Sequence, residues 1–83
     1  MNKQKKLNDS FAVCINNSDY PASLELHKIY RVLPDEAAAN DGDLRVIDES
    51  DEDYLYPADS FVFINIPREV ERSFTQTRER VKP

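Results

Sequence analysis

The sequence predicts an all-β domain built as a small five-stranded barrel, and three observations carry the prediction. Short apolar, β-prone segments recur along the chain, from Ser10-Phe11-Ala12-Val13-Cys14-Ile15 to Phe61-Val62-Phe63-Ile64-Asn65-Ile66. Turn-forming residues separate them, at Asn16 to Asp19, Asn40 to Gly42 and Asp48 to Asp53. The length, 83 residues, suits one domain that buries roughly 60–65% of its unfolded surface, which leaves little room for an enclosed active site.

Ser10 to Ile15 reads as a buried first strand. Asn16-Asn17-Ser18-Asp19 breaks it, and Tyr20-Pro21 prolongs the excursion because the residue before proline is pushed toward extended geometry. Leu24 and Leu26 alternate with Ser23, Glu25 and His27, which is strand period with one face inward. Ile29 to Leu33 follows as the second strand; with Arg31 outward, Tyr30 and Val32 share the inward face. Pro34 to Gly42 predicts one short helical turn, with acids at its N-terminus and the chain's only glycine at its end, where a left-handed cap costs least. Leu44 and Val46 flank Arg45 in a third strand, residues 48 to 53 turn, and Tyr54-Leu55-Tyr56 returns as a tight antiparallel hairpin with both tyrosines inward. Pro57 stops that strand, Ala58-Asp59-Ser60 suits a 3₁₀ turn, and Phe61 to Ile66 closes the fold with Phe61 as a plug. The expected core therefore contains Leu26, Tyr30, Val32, Val46 and Val62. Residues 1–9 form a basic, flexible N-terminus, 10–66 the barrel and 67–83 a charged tail. In that tail Pro67 precedes Val70 and Phe74, four apart on one helical face. Two readings stay open for it: a short amphipathic helix, or a segment disordered until it meets a partner or a second copy.

The order of a long first loop, a medium second, a tight hairpin and a 3₁₀ turn before the last strand resembles that of SH3 domains. The resemblance rests on Leu24-Glu25-Leu26, on Ile29-Tyr30-Arg31-Val32-Leu33 and on Pro57-Ala58-Asp59-Ser60-Phe61-Val62, and it implies an SH3-like barrel over Phe11 to Ile66. The runs Tyr20 to Leu26, Val32-Leu33-Pro34-Asp35, Arg45 to Ser50 and Asp53 to Pro57 also resemble a group of short bacterial proteins with an SH3-like barrel, a group that implies no activity. His27 departs from the SH3 pattern, standing where many such chains place a glycine at the diverging turn.

Charge is unevenly spread. Lys3, Lys5 and Lys6 give the first six residues +3, and residues 68 to 83 hold five bases against three acids. Residues 7 to 67 carry three bases against thirteen acids, so the body is strongly acidic between basic ends. Such a body repels phosphates and disfavours nucleic acid, which only the ends could hold. Met-Asn-Lys-Gln-Lys-Lys runs into Leu7 without the apolar stretch of a signal peptide, and no segment reaches membrane-spanning length, so a cytoplasmic location and no membrane partner are expected. Cys14, the single cysteine, reads as a small buried hydrophobe.

No catalytic set, cofactor motif or metal cage emerges. The acidic run at 48 to 53 reads as a solvated hairpin tip. An EF-hand reading with Gly42 in its sixth position would place Ala37 and Ala39 at ligand positions, where they bind nothing. His27 lacks a second zinc ligand or a nucleophile at motif spacing. The aromatic residues have two competing roles, core packing and a binding groove. The likeness to peptide-binding SH3 domains implies a groove floored by Tyr20, Tyr54, Tyr56 and Phe61 with Pro21 and Pro57, although the usual tryptophan is missing. Asp19, Glu25 and Asp59 are the acids near enough to read a basic residue on a ligand. The expectation is a small non-enzymatic interaction module that binds an unidentified protein or peptide through Asp19, Tyr20, Pro21, Tyr54, Pro57 and Asp59. It would be a monomer, or a weak homodimer through the tail. The alternatives are an accessory barrel holding nucleic acid with its basic ends, and a structural subunit of a larger complex.

Overall fold

Five antiparallel strands form one open sheet in the order β4-β3-β2-β1-β5. They are β1 (Ser10–Cys14), β2 (Ile29–Leu33), β3 (Asp43–Ile47), β4 (Asp53–Pro57) and β5 (Phe61–Ile64). A short helix α1 (Glu36–Asn40) joins β2 to β3, a 3₁₀ turn (Ala58–Ser60) joins β4 to β5, and helix α2 (Arg68–Glu79) follows β5. The structure is a computed structural model that describes residues 10–79, so the expected basic N-terminus and the last residues of the tail lie outside it.

Local chemistry sets the boundaries. Asp35 caps α1 by accepting the Ala38 N–H at 3.0 Å, and Arg45 donates to the same carboxylate at 2.6 Å, which ties the helix to β3. Gly42 ends that segment at φ +82, the left-handed conformation expected there, with its N–H bonded to the Ala39 carbonyl. His27 adopts φ +68 and donates its N–H to Cys14 O at 2.7 Å. The position does require a left-handed backbone, and a non-glycine residue occupies it.

Register divides the strands into two faces. Ala12 lies opposite Tyr30, Cys14 opposite Phe61, Val32 opposite Val46, and Leu44 opposite Tyr56. These side chains form the core, closed from above by Leu24. Phe11, Val13, Ile29, Ile47 and Ile64 occupy the other face, where Phe74 of α2 packs on Phe11 with ring centroids 5.2 Å apart.

Several expectations are corrected. Residues 24 to 27 form loop and turn rather than a strand, because the chain must reverse there to enter β2; Leu24 plugs the core while Leu26 is 46% exposed. Val62 is 47% exposed. It pairs with Val13 while its neighbour Phe61 pairs with Cys14, and adjacent strand residues point to opposite faces. Tyr54 shares the face of Tyr56 but is 52% exposed, since it sits on edge strand β4 beyond the packed centre. Tyr30, Val32 and Val46 are buried as expected. Among the described residues, no helix is long and apolar enough to cross a membrane.

Candidate functional site

The first loop, residues 15 to 28, builds one side of the site. Asn16 accepts from the N–H and hydroxyl of Ser18, Asn17 donates to Leu24 O, and Tyr20 O receives the N–H groups of Ser23 and Leu24. With Leu24 anchored in the core, this network fixes the direction of Tyr20. Its ring meets Tyr56 edge-on at 5.0 Å, and the side of Tyr20 away from that contact stays open, with the residue 39% exposed.

Tyr20, Tyr56 and Tyr54 thus follow one another along the end of the sheet, Tyr54 and Tyr56 being two residues apart on one face of β4. Pro57, next to Tyr56 and opposite Asp43, points to the other face of β4 and lies outside this row, and Pro21 is exposed beside Tyr20. Asp19, next to Tyr20 in the chain, and Asp59, in the 3₁₀ turn, are both exposed. Phe61 is committed to the core, and Tyr56 is buried beneath the row rather than displayed on it.

The acidic turn between β3 and β4 differs from a solvated tip. Asp48 is buried; it accepts from Ser50 N–H at 2.9 Å, Ser50 Oγ at 2.6 Å and the Tyr56 hydroxyl at 2.5 Å. Glu49 accepts from the Tyr30 hydroxyl and from Lys28 Nζ at 2.7 Å, and its N–H donates to Ser23 O at 3.0 Å. Two tyrosines that rise from the core therefore hold two consecutive carboxylates, and the turn is clasped onto the first loop. Burial works against the Asp48 carboxylate, but the bonds from Ser50 and Tyr56 outweigh it and hold its pKa below the ordinary value. The Lys28 ammonium, and after it the Tyr30 hydroxyl, lower Glu49. Burial first and the neighbouring carboxylate second raise both tyrosines.

A further feature lies on the opposite face of the sheet. A cleft of about 610 Å³ separates Ile29 and Ile47 from Val70 and Phe74 of α2. Sequence reading missed both the clasp and the cleft. Asp48 looks like any other member of an acidic run, but isoleucine at the outward positions 29 and 47 was a legible sign of a second covered face. Among the described residues no group of three or more His, Cys, Asp or Glu side chains is arranged to hold a metal ion. No protein-family profile, curated protein or solved structure matches the chain.

Proposed function

We propose that the chain is a small, non-enzymatic, cytoplasmic interaction module with an SH3-like barrel, and that it binds protein or peptide through the row of Tyr20, Pro21 and Tyr54. Asp19 and Asp59 favour a basic residue on the ligand. The barrel reading is supported by the pairing of the first and last strands of the sheet and by the 3₁₀ turn between β4 and β5. The binding reading rests on one observation: Tyr20 is open to solvent yet held edge-on against buried Tyr56. A ring fixed before the ligand arrives loses little rotamer freedom on binding, so its contact area translates into affinity.

The test is a titration of the isotope-labelled chain with proline-rich peptides that carry one arginine or lysine. Amide shifts should map to Tyr20, Tyr54 and Pro57's neighbours, and Tyr20→Ala should abolish them at a stability cost of about 1 kcal/mol, the size of a lost aromatic pair. Unchanged binding by the variant would move the interface elsewhere. A generic oligonucleotide serves as control, because salt-steep binding to it would select the nucleic-acid alternative.

A further inference from the structure

Between Ser23 and Lys28 the first loop is tied to Glu49 at three points. Ser23 O accepts the Glu49 N–H at 3.0 Å. The Glu25 N–H donates to the Tyr30 hydroxyl at 2.7 Å, and that hydroxyl donates to the Glu49 carboxylate, so the phenol relays the loop backbone to the hairpin turn. Lys28 Nζ reaches the same carboxylate at 2.7 Å. Asp48, the residue before, works from the other side: it accepts the Tyr56 hydroxyl at 2.5 Å, and the Tyr56 ring is the surface on which Tyr20 stands edge-on at 5.0 Å.

These ties converge on Tyr20. Its carbonyl takes the N–H groups of Ser23 and Leu24 at 3.1 and 3.0 Å, so the backbone that Glu49 holds at Ser23 sets where residue 20 stands. Tyr56, held by Asp48, sets which way the ring of Tyr20 faces. The two carboxylates are engaged in this holding rather than offered outward: Asp48 is buried and bonded to Ser50 and Tyr56, and Glu49 is bonded to Lys28 and Tyr30. A ring left loose gives back in ordering entropy part of what its contact area contributes, so loss of the ties reads out as lost affinity.

We propose that Asp48 and Glu49, acting through Tyr56 and Tyr30, are positioning residues for the tyrosine row: they stay off the ligand and hold Tyr20 where a peptide meets it. This rests on the reading of the row as a peptide-binding surface, and it adds that the turn between β3 and β4 controls the affinity of that surface.

The experiment compares the full chain with Tyr30→Phe, which keeps the ring beside Phe61 and removes only the hydroxyl of the relay. Native-state hydrogen exchange is followed on both, together with titration by a proline-rich peptide that carries one arginine. In the variant the amides of Ser23, Leu24 and Glu49, none of which donates to Tyr30, should exchange about tenfold faster, a larger change than at Ala12 and Val46, whose strand amides report global unfolding. Peptide affinity should fall about fivefold while the shifted amides still map to Tyr20 and Tyr54. Tyr56→Phe, which leaves a ring beneath Tyr20 but nothing to reach Asp48, should lower affinity by a similar factor and guards against an effect peculiar to Tyr30. Loop and strand amides that accelerate alike would reduce both phenols to ordinary stability and overturn the proposal. So would faster loop exchange with affinity unchanged. A wild-type chain that binds no peptide of this class would sink the binding reading alone; the contrast between loop and strand exchange then decides for or against the placement of Tyr20 by the turn.

Discussion

The two faces of the sheet are made by the same strands and finished by different means. On the core face, Leu24 closes the top, and the hydroxyls of Tyr30 and Tyr56 end in carboxylates supplied by one turn. Both hydroxyls thus have acceptors, so packing and hydrogen bonding reinforce each other there. On the other face, Phe74 of helix α2 packs on Phe11. One side is therefore closed by buried hydrogen bonds and the other by a helix. At this size stability is marginal, and the residues buried in one core carry most of it.

The largest test of this contrast is Leu24→Ala. The side chain is almost wholly buried, so truncation should cost about 3 kcal/mol by lost burial and a residual cavity, read as a lower urea midpoint at unchanged slope. A cost below about 1 kcal/mol would show that the first loop is not part of the core.

Asp48→Ala should cost about 2 kcal/mol, because it leaves the buried Tyr56 hydroxyl without its acceptor and frees the turn. The double variant with Tyr56→Phe should recover part of that loss, since no buried donor then remains unpaired. Additive losses would show that the two groups do not act as a pair.

Acid should attack the clasp before the helix face. Asp48 and Glu49 have lowered pKa values in the folded chain, so their contribution is complete above the ordinary carboxylate range and disappears as pH falls through the folded values. Stability should hold from neutrality to about pH 5 and fall below about pH 4. Tyr30→Phe should make that fall shallower by removing one of the groups that lower Glu49. The raised tyrosines act at the other end: the unfolded chain ionises first, so stability should also decline above about pH 10.

Phe74→Ala should be milder, about 1 kcal/mol, with a drop in helical circular dichroism as α2 loses its anchor. A loss as large as that of Leu24→Ala would abolish the contrast between the faces. Lys28→Gln is expected to change stability least, within about 0.5 kcal/mol, because its ion pair with Glu49 is solvent-exposed.

Much of the fold was legible because it depends on local signals. Apolar runs bounded by turn residues marked all five strands, proline and the only glycine bracketed α1, and the demand for an unusual backbone at His27 could be anticipated from its place in the chain. Period-two alternation misled at Leu24 and Leu26, where two leucines in a loop imitate a strand, and at Val62, whose hydrophobicity does not reveal which neighbour owns the core position. The candidate rim was legible in part: Tyr20 and Tyr54 are open, as a binding role requires, and Tyr56 serves the interior. Asp48 was illegible, since its burial depends on a phenol eight residues away and on no property of the acidic run itself.

The open sheet has one more consequence, for handling and for survival in a crowded cell. Among the described residues, strands β4 and β5 each leave a row of backbone donors and acceptors without a strand partner. The two margins are guarded unequally. β4 begins at Asp53 and ends at Pro57, a charge and a residue with no N–H to offer, whereas β5 is Phe-Val-Phe-Ile with Val62 and Phe63 turned to water. Its brevity is its chief guard, for four residues give an incoming chain little to zip against. Concentrated or acidified preparations should accordingly nucleate aggregates from β5, and Val62→Lys should act as a gatekeeper that lengthens the lag before fibrils form.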